Sequence, residues 1–219
     1  MAARSALDDP ATDLIRSLPL AATRRIVALA GLPGSGKSTL AARLADEVNA
    51  RTAPGTMVAL GMDGFHLTRA ELDAMPDPAL AHARRGAPWT FAPDRLRERL
   101  AALRSTAGRE AVAWPDFQHD VGDPVEGGCI VPSEARIVLV EGIYLLHDGD
   151  GWQGIPDQFD ERWYLDTPLE TSMARVAARH VAKMGLSPEA AAARANANDR
   201  LNAEVVARSR FRADFIVRP

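Results

Sequence analysis

The sequence has 219 residues, of which 47% are hydrophobic and 25% charged, a balance typical of a globular chain that can bury one substantial core. The formal net charge is −3, so the chain offers no broad basic field to a nucleic acid, and a phosphate group must bind at a local site. A lone cysteine, Cys129, favours a reducing compartment such as the cytoplasm, and no stretch approaches the roughly eighteen apolar residues of a membrane span.

The chain begins with a segment of weak pattern. Residues 1–22 show helical spacing only around Leu14 and Leu18, so we expect a short leading helix or a loosely held terminus there and a single domain over residues 23–219. The apolar run Ile26–Ala30 predicts a buried strand. This run ends in a glycine-rich loop rather than a cleavage pattern, which argues against a signal peptide.

Strands and helices alternate after this point. Further strands are predicted at Met57–Met62, Ala111–Trp114, Arg136–Val140, Arg162–Leu165 and Ala213–Val217. Helices are indicated by apolar stripes at Leu40, Leu44 and Val48, at Leu96, Leu100 and Leu103, and at Leu169, Met173 and Val176. The alternation predicts a doubly wound α/β three-layer sandwich with a mainly parallel sheet of about five strands.

Two helix starts have clear local signals. Thr167-Pro168-Leu169-Glu170 has the form of a capping box with proline in the first helical position. Ser187-Pro188-Glu189 repeats the pattern of serine followed by proline. Helices are therefore predicted to begin at both places.

A complete phosphate-binding motif lies between the first strand and the first long helix. Residues 31–38 read Gly-Leu-Pro-Gly-Ser-Gly-Lys-Ser, the G-x-x-x-x-G-K-[ST] pattern of a P-loop. Glycines let backbone N–H groups turn toward phosphates, and the helix amino end adds unpaired donors and a favourable dipole. The lysine would reach the β and γ phosphates, and the serine hydroxyl could ligate Mg²⁺. The predicted nucleotide site comprises Gly31, Pro33, Gly34, Ser35, Gly36, Lys37, Ser38 and Thr39.

Two acidic residues follow buried strands at their carboxyl ends, where open α/β sheets bind ligands. Asp63 lies in Met-Asp-Gly-Phe-His, and Glu141 lies in Val-Leu-Val-Glu-Gly-Ile. With the P-loop and the terminal segment 212–217, these motifs resemble the P-loop small-molecule kinases that include uridine kinase, phosphoribulokinase and bacterial pantothenate kinase. Residues 85–91, Arg-Gly-Ala-Pro-Trp-Thr-Phe, are similar to a segment of the bacterial branch labelled fructose transport system kinases or nucleoside/nucleotide kinases.

The resemblance implies an enzyme that uses ATP and Mg²⁺ to phosphorylate a hydroxyl group. Asp63 would accept the proton of that hydroxyl, with a strand-end turn residue as the alternative. Glu141 would hold Mg²⁺ directly or through water, with a structural carboxylate as the alternative. A switch protein needs no such base, so Asp63 favours a kinase over an ATP-binding regulatory module linked to sugar uptake.

Further substrate contacts are also implied. Trp114-Pro115-Asp116-Phe117 resembles the family stretch in which an aspartate grips substrate hydroxyls, although proline stands where uridine kinase has tyrosine. Asp116 either grips a polyol or caps the next element. His66 and His119 either donate to substrate oxygens or are solvated loop histidines.

Arginines complete the predicted site. Arg175 and Arg179 are four residues apart on one helix, opposite its apolar stripe, and would face outward together. In family terms they close on the transferring phosphate, and a solvated face is the alternative. Arg85 either clamps an anionic group or belongs to an exposed basic turn. Segments near 64–92 and 175–200 are predicted to be mobile helical lids that exclude water.

Other classes of protein are excluded by missing motifs. The chain contains no Asn-Lys-x-Asp run of regulatory GTPases, no Leu-Ser-Gly-Gly signature and no zinc-binding spacing of Cys and His. We expect no nucleic-acid or membrane partner, and a homodimer is an open alternative. The acceptor is left open among a sugar such as fructose, a nucleoside and a pantothenate-like compound.

Overall fold

The computed structural model describes residues 9–18, 23–118 and 120–219, and the following account refers to that part of the chain. The strands are β1 (Arg25–Gly31), β2 (Met57–Gly61), β3 (Val112–Gln118), β4 (Asp123–Val131), β5 (Ile137–Gly142), β6 (Glu161–Leu165) and β7 (Phe215–Val217). The helices are α1 (Pro10–Arg16), α2 (Lys37–Arg51), α3 (Arg69–Asp73), α4 (Pro78–Ala83), α5 (Pro93–Ser105), α6 (Leu169–Met184), α7 (Pro188–Arg194) and α8 (Arg200–Ser209), with a π-helical turn at Ala195–Asp199 between the last two.

Five strands form one sheet in the order β2-β5-β1-β6-β7, and every neighbouring pair is parallel. The central strand β1 pairs Ile26 with Val138 on one side and Val27 with Glu161 on the other. Parallel strands that are buried on both faces read as continuous apolar runs, which is why β1 and β5 were recognisable in the sequence. The predicted α/β fold is confirmed.

The sheet separates two layers of packed side chains. Ile26, Ala28 and Ala30 of β1 lie in the core layer that also contains Leu96 and Leu100 of α5. The alternate β1 residues Val27 and Leu29 lie in the other layer, with α1 and α2. Side chains that alternate across a strand therefore produce the predicted three-layer sandwich.

β3 and β4 form an antiparallel hairpin outside this sheet. The predicted strand Ala111–Trp114 is thus the start of a longer strand that belongs to the hairpin. β4 was not predicted, because only one of its nine residues is buried and it contains Pro124, Gly127 and Gly128, which weaken the pattern of a strand.

The predicted helix start at Ser187 is confirmed. At Thr167 a helix does follow, but the predicted capping box is wrong. The Ser187 side chain accepts a hydrogen bond from the backbone N–H of Ala190, with Pro188 in the first turn. At α6 the capping residue is Pro168, with no side-chain cap. The Thr167 hydroxyl instead donates to the carbonyl oxygen of Ser35 at 3.0 Å, so a tertiary partner replaces the local one.

Part of the leading segment is a helix. Asp9 caps α1 by accepting from the backbone N–H of Thr12 at 3.1 Å, and Ala11 and Leu14 are buried in the layer shared with α2. Among the described helices, none combines the length and the hydropathy that crossing a membrane requires.

Candidate active site

The phosphate loop connects β1 to α2 and is shaped by two glycines. Gly34 and Gly36 have φ values of 75° and 99°, a region that favours glycine. Gly36 precedes α2 without a side-chain cap, so the first N–H groups of the helix are left for a ligand. Lys37 is 7% exposed, and its Nζ donates to the carbonyl oxygen of Leu32 at 2.9 Å. The predicted loop is therefore folded as an anion cradle.

Acidic groups lie next to this lysine. The Ser38 hydroxyl donates to Oε1 of Glu141 at 2.7 Å, which joins the start of α2 to the end of β5. Burial raises the pKa of Glu141, the Lys37 charge opposes that shift, and the Asp63 charge adds to it. Burial lowers the pKa of Lys37, against the charges of Glu141 and Asp63. Asp63 thus lies within electrostatic reach of both.

A cleft of about 420 Å³ opens at this edge of the sheet. From the phosphate loop it is lined by Pro33, Gly34, Gly36, Lys37, Ser38 and Thr39. The other predicted site residues that line it are Asp63, His66, Arg85, Glu141, Arg175 and Arg179. Both segments predicted as lids therefore contribute to the same cleft. His119 lies outside the described residues.

The remaining two loop residues face elsewhere. A Cβ added at Gly31 would lie 3.0 Å from the carbonyl oxygen of Leu165, so this glycine permits close packing against β6. Ser35 accepts hydrogen bonds at its carbonyl oxygen from Thr167 and, at 3.2 Å, from Nη1 of Arg175. These hydrogen bonds connect the loop to Thr167, just before α6, and to Arg175 in the first half of that helix.

Arg175 and Arg179 are exposed, as expected for the side of α6 opposite its apolar stripe, and both line the cleft. α6 lies directly on the phosphate loop: a Cβ added at Gly34 would come within 2.5 Å of the carbonyl oxygen of Ser172. This packing turns Arg175 and Arg179 toward the loop. The Arg179 charge is close enough to contribute to the lowered pKa of Lys37.

Two other predicted contacts have different surroundings. Arg85 donates to the carbonyl oxygens of Gly122 and Leu67 and pairs with Asp123 at 2.7 Å, so its charge is already compensated. It is not an exposed basic turn. Asp116, in the described part of β3, is exposed and does not line the cleft. A polyol contact by Asp116 stays a prediction.

Sequence reasoning missed two polar residues of the cleft. Asp199 accepts from Nε2 of His180 at 2.9 Å, and Asn202 accepts from Nη2 of Arg84 at 3.2 Å. Both line the cleft, and Asn202 is only 3% exposed. They belong to a helical segment without a recognised motif, so the sequence contained no signal for them. In the structure, Asn202 is identified by the burial of its polar side chain.

The oxygens of the site suit Mg²⁺ held together with a nucleotide. Among the described residues no group of three or more His, Cys, Asp or Glu side chains could hold a metal alone. Mg²⁺ commonly takes one or two protein oxygens and completes its shell with phosphates and water. The adjacent hydroxyl and carboxylate of Ser38 and Glu141 fit that requirement.

Comparisons with known proteins agree with this geometry. Residues 26–219 match the family model described as phosphoribulokinase / uridine kinase. The chain is similar to a candidate uridine kinase of Schizosaccharomyces pombe, with 37% identity over 195 residues, 89% of this chain and 83% of that protein. An ATP-dependent kinase-like protein of Aspergillus versicolor is 39% identical over 159 residues, 68% of this chain and 89% of that protein. The crystal structure of a candidate fructose transport system kinase from Silicibacter sp. TM1040 has a TM-score of 0.82 and 33% identity, and the match covers 95% of this chain and 98% of that one.

Proposed function

Because the chain belongs to the phosphoribulokinase / uridine kinase family, we propose that it transfers the γ-phosphoryl group of ATP to a hydroxyl of a small metabolite. The observation that carries this proposal is the position of Asp63. Its carboxylate lines the cleft that contains Lys37 and Ser38, at the carboxyl end of β2. An alcohol bound there would have a proton acceptor and a phosphate donor on the same side of the sheet.

The nucleotide would lie along two adjoining cavities. Its phosphates fit the loop at residues 31–38, with the Lys37 ammonium at the β and γ groups. A second cavity of about 410 Å³ is lined by Ser35, Gly36 and Thr39 on the loop side and by Leu40, Arg43 and Arg218 farther out. The apolar part of this cavity suits the base of ATP.

The chain's own groups account for the transfer. The acceptor oxygen forms a bond to the γ phosphorus as the bond between that phosphorus and the β,γ-bridging oxygen breaks, and the hydroxyl proton passes to Asp63. Arg175 and Arg179, which line the same cleft, would bring positive charge to the phosphate oxygens. Mg²⁺, when held at Ser38 and Glu141, would supply charge neutralisation at the β and γ oxygens. Because catalysis of this kind depends on positioning, α6 and the 84–86 loop would hold the acceptor in line.

The proposed acceptor is a sugar such as fructose, a nucleoside or a pantothenate-like compound, and the names of the relatives point to more than one of these. The single cysteine supports a reducing compartment, and we propose the cytoplasm.

The test is ADP release with Mg-ATP and a panel of acceptors. We expect an acceptor to stimulate release, and Asp63→Asn to reduce kcat by about 100-fold or more with Mg-ATP binding kept in calorimetry. Asp46→Asn, at an exposed position on α2, is the matched control and is expected to behave as wild type. Slow release that no acceptor stimulates, equal in wild type and Asp63→Asn, would favour the regulatory module.

A further inference from the structure

The cleft wall away from the phosphate loop and α6 contains polar side chains from segments that are hydrogen-bonded to each other. We call His66, Gly86, Phe91, Asp199 and Asn202 the acceptor wall. The loop at 84–86 and the segment at 197–202 are joined there, since Arg84 donates to the side-chain oxygen of Asn202 and Asn198 donates to the carbonyl oxygen of Arg85 at 3.2 Å. The wall is therefore a built surface on which an acceptor can be oriented.

The Asn202 amide has one defined orientation. A guanidinium group can only donate, so the amide oxygen must face Arg84 and the amino group must point away from it. Nδ2 lies on the Gly86 side, where a Cβ added to that glycine would be 3.5 Å away. In the described part of the chain no residue accepts a hydrogen bond from this amino group, although the residue is only 3% exposed. Since Asn202 lines the cleft, its amino group can donate to a ligand that binds there.

Asp199 provides the complementary acceptor. Its Oδ2 accepts from His180, while its other oxygen receives no hydrogen bond from the described residues. Asn202 is three residues further along the chain, and both side chains line the cleft. A donor and an acceptor placed together match the two roles of a hydroxyl group, which donates through its hydrogen and accepts at its oxygen.

The aromatic rings of the wall are already covered. Phe91 is 4% exposed and packs against His66, with centroids 3.9 Å apart, and against Tyr144 and Trp152. His66 also packs against Phe117 at 5.0 Å. A nucleic base is held by stacking on an open aromatic face, and the described wall presents none.

The arginines that line the cleft are Arg85, Arg175 and Arg179. Arg175 and Arg179 lie with the phosphate loop, and Arg85 is neutralised by Asp123. Among the residues of the acceptor wall, Asp199 carries a negative charge, whereas Arg84 does not line the cleft and donates to Asn202 and to the carbonyl oxygen of Ala197. A carboxylate or phosphate on the acceptor would be repelled there rather than bound.

From these contacts we infer that the acceptor is a small, uncharged polyhydroxy compound, and that Asn202 and Asp199 bind its non-reacting hydroxyls. This inference rests on the proposed kinase activity and narrows its acceptor. A neutral sugar or alditol has the necessary pairs of hydroxyls, whereas a nucleoside needs a stacking surface and an acid needs a cation. Specificity would come from hydrogen bonds that a poorer acceptor leaves unmade.

The experiment compares four classes of acceptor in Mg-ATP-dependent ADP release: neutral hexoses and alditols, uridine and cytidine, pantothenate and glycerate, and sugar phosphates. We expect the first class to give the highest kcat/KM. Asn202→Asp keeps the oxygen that faces Arg84 and removes the amino donor, so kcat/KM for the neutral acceptor should fall at least about tenfold, mainly through KM, with Mg-ATP affinity within twofold of wild type. Asn196→Asp, the same change at an exposed position of the π turn, is the control and should leave both unchanged.

The outcomes distinguish failure of the acceptor inference from failure of the kinase proposal. Asp63-dependent turnover of a nucleoside, acid or sugar phosphate in preference to neutral polyols would overturn the inference and leave the kinase intact. Polyol turnover that Asn202→Asp does not alter would overturn the role of Asn202. Absence of stimulated turnover with all four classes would overturn the kinase proposal and the inference together. Thermal melting of each variant shows that a loss is not caused by unfolding.

Discussion

Ser38 and Glu141, 103 positions apart in the sequence, are joined by a 2.7 Å hydrogen bond between the hydroxyl and Oε1. The bond connects the amino end of α2 with the carboxyl end of β5. Because β5 is the neighbour of β1 in the sheet, the register of that pair sets the distance between the two side chains.

The first prediction concerns metal binding. Glu141→Gln keeps the shape and the acceptor for Ser38 but removes the negative charge, so the affinity of the protein–nucleotide complex for Mg²⁺ should fall about tenfold or more. Titration of Mg²⁺ at fixed nucleotide, followed by calorimetry, measures this. Nucleotide binding in EDTA should change little. Glu110→Gln removes the same charge at an exposed position and should match wild type; equal losses in the two variants would contradict a metal role for Glu141.

The second prediction concerns pH. Burial raises the pKa of Glu141, so this carboxylate takes up its proton at a higher pH than an exposed glutamate does. Since only the ionised form binds Mg²⁺ well, the apparent Mg²⁺ affinity should decline on the acid side of neutrality, and the decline should be smaller in Glu141→Gln, where only the nucleotide phosphates still titrate. Mg²⁺ titrations between pH 5 and 8 measure both profiles. An identical acid limb in wild type and variant would assign it to another group.

The third prediction concerns the contact between the phosphate loop and α6. Gly34→Ala would place a Cβ 2.5 Å from the carbonyl oxygen of Ser172, a backbone atom, and at a φ of 75°. Gly127→Ala has a similar φ of 68° but meets nothing within 4 Å, so it isolates the backbone cost of about 1–2 kcal/mol. We expect Gly34→Ala to lower the free energy of unfolding by roughly 1–3 kcal/mol more and to weaken nucleotide binding. Denaturant unfolding of both variants tests this, and equal losses would contradict it.

The fourth prediction concerns acid stability. The Arg95 hydrogen bond, with those of Thr68, lowers the pKa of Glu71 to about 2 from an ordinary value of 4.5. A carboxylate with a depressed pKa stabilises the folded state fully above pH 4.5 and loses that contribution as pH falls toward 2. Glu71→Gln should therefore melt below wild type at pH 7 and approach it near pH 2 to 3. Glu110→Gln serves again as control, and a difference that does not vary with pH would contradict the prediction.

Sequence patterns identified the elements that depend on interactions between neighbouring residues and the strands that are buried along their length. The strands of the sheet, the phosphate loop and the Ser187 cap were all found in this way, since each depends on neighbouring residues or on a continuous apolar run. The exposed strand β4 has neither signal. Thr167 shows the opposite failure, because a carbonyl oxygen 132 positions away in Ser35 competed with its local cap.

The candidate site was predicted unevenly for the same reason. Lys37, Ser38, Asp63 and Glu141 lie at strand ends, where topology alone brings them together, and the structure places them in one cleft. The position of Arg179 in the cleft lining, and that of Asp116 outside it, depend on how α6 and the β3–β4 hairpin pack. Asn202 became recognisable only through its burial. Such contacts between distant segments leave no local sequence pattern.

The carbonyl oxygen of Ser35 receives both Thr167 and Arg175, and that has a mechanical consequence. Thr167 lies just before α6 and Arg175 lies in its first half, so these bonds hold the amino-terminal half of the helix against the loop. The part of α6 from Arg175 to Met184 is about 14 Å long, and a tilt of roughly 10° about Arg175 would move Met184 by about 2 Å. Displacements of α6 would therefore be largest at its carboxyl end, which leads into α7, when the phosphate loop shifts by a small amount.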